Sequence, residues 1–365
     1  SYLSLWLRSE RQPRDSDHRR WRVGSASTDA IIRPPIGAPT PVSGSLGILD
    51  AVVLGLVEGV TEYLPISSTG HLVLARSLLG LDSPEDIRRN VDAFLIVIQG
   101  GAILAVLGLY RTSVLRMIRG VFGNDREGLV LFRNLLIAFL PAAILGPLLN
   151  NWIESRLMEA GPVLLALAAG GIVMILVDRR HRHRRRADLS DGTSCPDGMS
   201  ITAIAAFQIG LLQTVAMWPG TSRSMVTILG GMMVGMRPAK AAEFSFLLGL
   251  PTLGGAMVYK LGGNLMGDEA NMFAVLGWLP LLVGFAVATI SAAIAIKWLV
   301  GYLNQHGLAV FGWYRLVLTA VLLALIFGGI VSIQPEGSDQ SSEPAAAALT
   351  PSSMTPPRPT PNTRG

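Results

Sequence analysis

The chain has 365 residues, half of them hydrophobic and only 15% charged, with a mean hydropathy of +0.47. A soluble domain carries about a quarter charged residues, so this composition excludes a water-soluble globular protein and points to an all-α polytopic membrane protein. The formal charge of +5 does not indicate nucleic-acid binding, because the arginines cluster between apolar runs and ahead of residue 34, where they suit anionic headgroups and topology control.

Residues 1–45 are polar, rich in arginine and proline, and contain no apolar stretch of signal-peptide length. They read as a disordered tail or a mis-assigned translation start. A membrane domain follows over 46–333, in halves of about 46–178 and 199–333 joined by a basic loop at 179–198. The only cysteine, Cys195, lies in that loop, which excludes an internal disulfide and fits a reducing cytoplasmic side. Residues 334–365 are a Pro/Ser/Thr/Ala tract and should also be disordered.

Six runs are long enough to cross a hydrocarbon core of about 30 Å. They cover roughly 92–110, 133–152, 162–178, 242–259, 273–298 and 313–333. Two further apolar segments, 46–81 and 199–236, are each broken by a proline and a polar knot, at Pro65 and at Pro219–Gly220. Each half is too short to span, so each pair reads as a re-entrant helical hairpin, tolerated where protein or water surrounds the broken backbone. A repeat supports this: GLVEGV at Gly55 and GLLQTV at Gly210 are offset by 155 residues, and GGA triplets at Gly100 and Gly254 by 154, as are Pro65 and Pro219. One hairpin plus three spans per half gives opposite orientations, the inverted-repeat plan. The arginines at 111–133 and 179–186 fall on one side, which should be the cytoplasm.

The first hairpin reads EGVTEYLPISSTGHL, residues 58–72. Glu58 and Glu62 are four apart and share a helix face. Ser67 and Ser68 sit at the start of the next helix, where free N–H groups and the dipole suit a phosphate, with Thr69 beside them. Ser68 and His71 are three apart, within reach for a hydroxyl nucleophile and a base. A carboxylate at membrane depth costs roughly 2.5–3.5 kcal/mol, so Glu58 and Glu62 need a metal ion or a water-filled site. The second hairpin reads WPGTSRSMVTI, residues 218–228. Here Arg223, with Ser222, Ser224 and Thr227, forms a candidate oxyanion clamp.

These two segments closely resemble the signatures of the bacterial undecaprenyl-diphosphate phosphatase family, also called bacitracin-resistance proteins. The likeness extends over roughly 47–333, includes EFSFLLGLP at 243–251, and departs at Met225, where the family commonly has glycine. The resemblance implies hydrolysis of undecaprenyl diphosphate to undecaprenyl phosphate and inorganic phosphate, in the service of peptidoglycan synthesis. It implies a divalent cation, Mg2+ or Ca2+, near Glu58 and Glu62. By motif position, Glu58, Glu62, Ser68 and His71 match the catalytic residues, and Ser67, Thr69, Ser222, Arg223, Ser224 and Thr227 the substrate-binding ones. It places the chain in the bacterial inner membrane, surrounded by lipid, with the site toward the periplasmic face.

The sequence is compatible with two mechanisms: attack by Ser68, helped by His71 or Glu62, or direct attack by activated water. A transporter or flippase for an anionic lipid is the rival reading, since inverted repeats with broken helices also build carriers. The sequence leaves the oligomeric state open, a homodimer included.

Overall fold

A computed structural model describes residues 46–81, 85–157, 159–190, 201–266 and 276–328, and among these every regular element is an α-helix. The two tails and residues 191–198 of the basic loop lie outside the described residues. Six helices are long and apolar enough to cross a membrane, with spanning windows at Val91–Leu109, Arg126–Leu149, Ala160–His183, Pro238–Val258, Trp278–Gln305 and Ala309–Phe327. The expected six spans are therefore present, the second, fourth and sixth starting several residues earlier and the fifth several residues later than expected. Their outward side chains, such as Leu148, Ile172, Leu282 and Ile294, are large, apolar and exposed, as a hydrocarbon solvent requires.

In chain order the helices are α1 (Ile48–Thr61), α2 (Ser68–Leu78), α3 (Glu85–Leu109), α4 (Arg111–Val121), α5 (Arg126–Leu157) and α6 (Ala160–Ser190). They continue as α7 (Ala203–Val215), α8 (Arg223–Met233), α9 (Pro238–Met266), α10 (Trp278–Gln305) and α11 (Ala309–Phe327). The basic stretch from 179, a loop in the sequence reading, begins as helix: α6 continues to Ser190. Arginine has a strong helix propensity, which favours continuation of the helix through this stretch.

α1–α2 and α7–α8 are the two broken pairs. Their members have 14 and 11 residues in the first and 13 and 11 in the second. At 1.5 Å per residue none crosses the bilayer alone. Both pairs break in the same way: Ser67 and Ser222, the residues before α2 and α8, hold positive φ angles of 75° and 72°. No other described non-glycine residue does so. A left-handed serine costs about 1–3 kcal/mol, and its occurrence at both breaks shows that the surroundings impose one tip geometry twice.

Small residues let helices approach closely, the usual basis of association in lipid. α1 lies along α10, where a Cβ on Gly55 would fall 2.6 Å from the Gly284 carbonyl and one on Gly59 2.5 Å from the Ala288 carbonyl. The matched order of these contacts makes the two helices parallel. α7 lies along α5 likewise: Asn134 donates to the Ile201 carbonyl at 2.6 Å, and a Cβ on Gly210 would meet the Ala138 carbonyl at 2.4 Å. α6 and α11 are antiparallel, with Gly171 against Gly312 and the Asp178 carboxylate accepting from Leu308 N at 2.9 Å. The largest apolar core surrounds the two tips, taking in Tyr63, Ile66, Met225, Phe244 and Phe246.

Candidate functional site

α1 carries Glu58 and Glu62 one turn apart. Glu62 N donates to the Glu58 carbonyl at 2.9 Å, so helical geometry persists to Glu62 and both carboxylates share a face. Past Pro65 the chain reverses through Ser67 and starts α2 at Ser68. That reversal aims the Ser68 hydroxyl back at α1, where it donates to Glu62 Oε2 at 2.8 Å.

In the second pair the turn runs through Gly220, at φ 89°, where a Cβ would lie 2.5 Å from the Val163 carbonyl. Only glycine fits there. α8 then starts at Arg223, whose Nη2 donates to Glu62 Oε1 at 3.1 Å and whose Nη1 donates to the Ser245 carbonyl at 3.1 Å. The guanidinium also lies over the Tyr63 ring, 5.4 Å from its centroid. Glu62 is thus shared, one oxygen taking Ser68 and the other Arg223. The Glu62 and Arg223 side chains are only 7% and 12% exposed, so this pairing is largely shielded from water.

Both tips open on a cavity of about 110 Å³ whose wall includes Glu62, Ser67, Ser68, Thr69, Ser222 and Arg223. The first residues of α2, Ser68 and Thr69, and of α8, Arg223, lie on this wall, so two helix N-terminal ends border one space. The remaining wall comes from Ala142 of α5, the turn after α7 and Thr252, Leu253 and Ala256 of α9, with Gln99 of α3 and Gln213 of α7 as further polar members.

Four sequence candidates lie away from that wall. Glu58 is fully buried one turn before Glu62. The Ser224 hydroxyl donates to the Leu64 carbonyl at 3.0 Å and so ties the second tip to the first. Thr227 is buried with its hydroxyl on the Arg223 carbonyl at 2.9 Å and on Ser245 Oγ at 2.5 Å. His71 turns from Ser68: Nδ1 donates to the Ser67 carbonyl at 2.7 Å, and in the neutral ring Nε2 accepts from the Tyr314 hydroxyl at 2.7 Å. Met225, at the position of the family's glycine, is buried between helices and leaves the turn intact.

Two contributors escaped the sequence reading. Tyr314 fixes the His71 ring. Arg315 is fully buried, donating Nη2 to the carbonyls of Gly220 (2.9 Å) and Ala166 (3.2 Å) and Nε to that of Leu167 (3.1 Å). It anchors the second tip to α6. An arginine inside an apolar run is the available signal, but a span starting at 313 makes Arg315 look like a helix-end residue.

The donor set suits a hard cation. Both carboxylate oxygens of Glu58 are buried without a hydrogen-bond partner, a state compatible with a neutral carboxyl or with a bound cation. Among the described residues no cluster of three or more His, Cys, Asp or Glu side chains forms a metal cage. Mg2+ and Ca2+ accept one or two carboxylates completed by water and phosphate oxygens.

The architecture defines a class: a polytopic membrane protein with a polar centre built from the tips of two broken helices, holding a hydroxyl, a carboxylate and a guanidinium in contact. Residues 51–321 match the family described as Bacitracin resistance protein BacA. The chain is 41% identical over 288 residues to "Undecaprenyl-diphosphatase 2" of Rhodospirillum rubrum, covering 78% of this chain and 97% of that protein. It is 44% identical over 276 residues to "Undecaprenyl-diphosphatase" of Sorangium cellulosum, covering 76% and 85%. With the Methylococcus capsulatus protein of that name, identity is 39% over 287 residues, covering 78% and 97%. The chain belongs to the bacitracin resistance protein BacA family.

Proposed function

We propose that this protein hydrolyses undecaprenyl diphosphate to undecaprenyl phosphate and inorganic phosphate, recycling the lipid carrier of peptidoglycan synthesis. The observation that carries the reading is the run Ser68 Oγ–Glu62–Arg223 Nη2, with steps of 2.8 and 3.1 Å, in a chain of this family. A hydroxyl that donates to a carboxylate is set up to lose its proton, and an adjacent guanidinium is set up to receive the phosphoryl oxygens.

In the proposed reaction Ser68 Oγ bonds to the terminal phosphorus as its proton passes to Glu62 and the bridging P–O bond breaks. Glu62 then returns that proton to the departing lipid phosphate. Water next attacks the phosphoserine, giving a proton to Glu62. The P–Oγ bond breaks, and Ser68 is reprotonated from Glu62 as phosphate leaves. Arg223 and the N-termini of α2 and α8 hold the phosphoryl oxygens in place. Glu62, not His71, is the base in this scheme, because His71 has both ring nitrogens engaged elsewhere. Glu58 and Glu62 would hold a divalent cation, Mg2+ or Ca2+, which when bound neutralises phosphoryl charge.

The halves of the chain are read as an inverted repeat. α1 parallels α10, α10 reverses into α11 through a three-residue link, α11 is antiparallel to α6, α6 follows α5 after two residues, and α7 parallels α5. Following these relations, α1 and α7 enter from opposite sides. α3 ends, α5 begins and α6 ends beside the arginines at 111–133 and 179–186, which supports a cytoplasmic assignment for that side. The first hairpin then enters from the outer face of the bacterial inner membrane, and the site opens toward the periplasm.

The test is phosphate release from undecaprenyl diphosphate by the detergent-purified protein, with and without a chelator. Release that the chelator abolishes is expected. Detergent removes any gradient, so binding of the lipid without release would instead favour transport of an anionic lipid.

A further inference from the structure

The wall of the cavity carries two side chains that the scheme above does not use. Gln213 on α7 and Gln99 on α3 line the space shared by Ser68 and Arg223, and each is only 3% exposed. Both the oxygen and the nitrogen of the Gln213 amide, and the nitrogen of the Gln99 amide, are buried without a hydrogen-bond partner. Since both ends of Gln213 are orphaned, exchanging its oxygen and nitrogen leaves the conclusion unchanged. Burying an amide unsatisfied is unfavourable, and two in one cavity indicate an absent partner that occupies it.

The place of Gln213 in the chain suggests what that partner is. It lies 155 residues after Glu58, the same offset that relates Gly210 to Gly55 and Ser222 to Ser67. Where the first pair of helices carries a buried carboxylate with both oxygens unpartnered, the second carries a buried amide in the same condition. A carboxylate takes a cation, whereas an amide nitrogen donates to an anion without adding charge. In a cavity whose wall already carries the Glu62 carboxylate beside Arg223, neutral donors favour an anion with several acceptor oxygens.

We propose that Gln213 and Gln99 are substrate-contacting residues that donate to non-bridging oxygens of a diphosphate, extending the site beyond Arg223 so that it selects a diphosphate over a monophosphate. The Gln213 oxygen then accepts from a water molecule on the bound anion. This inference rests on the reading of the site as a phosphatase centre, and its test separates the two.

The test uses the full chain in detergent, unaltered and as Gln213→Leu, Gln213→Glu and Gln99→Leu. Two quantities are read: the Kd for inorganic diphosphate and for inorganic phosphate by calorimetry, and kcat/KM with undecaprenyl diphosphate. Gln213→Leu should weaken diphosphate binding and kcat/KM by about tenfold to a hundredfold, as expected for loss of a hydrogen bond to a charged group. Its phosphate affinity should change less than threefold and its thermal midpoint should not fall, because no intramolecular bond is lost. Gln99→Leu should show the same selectivity loss, and Gln213→Glu should be worse than Gln213→Leu because it sets a carboxylate against the anion. Unchanged diphosphate affinity in Gln213→Leu, or a Gln213→Glu variant that binds diphosphate as well as the unaltered protein, would overturn the proposal. A lowered thermal midpoint with intact affinity would do so too, by making Gln213 a packing residue. Should the unaltered protein release no phosphate, the phosphatase reading fails, and the calorimetric comparison still decides the role of Gln213.

Discussion

Arg223 Nη2 and Glu62 Oε1 lie 3.1 Å apart although 161 positions separate them in the chain. This contact joins the tip of one broken helix pair to the tip of the other. Removing either partner leaves a shielded charge without compensation, a costly state in a low-dielectric setting. The pair therefore holds the tips together as well as preparing the site, and Ser68 completes it from α2.

Ser68 separates two chemistries. With Ser68→Ala, phosphate release should fall by at least about a thousandfold, the scale of losing a nucleophile. Acid quenching of the unaltered enzyme with labelled substrate should yield a phosphoserine peptide containing Ser68. Turnover near normal in Ser68→Ala would show that water attacks directly.

In the proposed reaction Glu58 serves the cation and takes no part in proton transfer. Glu58→Gln should therefore raise the Mg2+ or Ca2+ concentration needed for half-maximal activity by about tenfold or more, with part of the maximal rate recovered at high metal, as for weakened ligand sets. A metal titration of the variant decides this. An unshifted titration with a collapsed maximal rate would reassign Glu58 to the proton path.

Close packing of α1 on α10 makes Gly55 intolerant. Gly55→Ala places a Cβ 2.6 Å from the Gly284 carbonyl and should destabilise the protein by about 1–3 kcal/mol. Gly108→Ala on α3 meets nothing within 4 Å and should stabilise by about 0.5–1 kcal/mol through helix propensity. Thermal midpoints in one detergent compare the two, and equal shifts would contradict the packing described.

Arg315 is a positioning residue, acting on the second tip through the Gly220 carbonyl. A fully buried arginine without a carboxylate partner is a poor source of stability, so Arg315→Met should keep the fold, with a change in stability within about 2 kcal/mol. KM for the lipid diphosphate should rise about tenfold while kcat changes less, since the nucleophile and Glu62 are untouched. A normal KM would show that the tip holds its shape without this anchor.

Hydropathy and length made the six spans and two broken pairs legible in the sequence, because a lipid solvent constrains every residue of a span at once. The convergence of Glu62 with Arg223 was legible in kind, from the expense of isolated charges at membrane depth. Their hydrogen-bond partners were not. Helical spacing brings His71 within reach of Ser68, yet the left-handed Ser67 presents its carbonyl to His71 Nδ1, and Tyr314 from a helix 243 residues away takes Nε2. Nor does spacing separate Ser222, on the cavity wall, from Ser224, which bonds to the first tip at Leu64, and Thr227, which bonds to Ser245 of α9. Those distinctions depend on two φ angles and on tertiary neighbours, which composition and periodicity do not encode.

A double-mutant cycle on Glu62→Gln and Arg223→Gln, read as kcat/KM for phosphate release, tests whether the two tips form one centre. Each single variant should lose about a thousandfold, and the double variant should fall no more than about tenfold below the worse single, because groups acting as a unit are strongly non-additive. Losses that simply multiply would show that Glu62 and Arg223 act independently, and the shared centre described here would not exist.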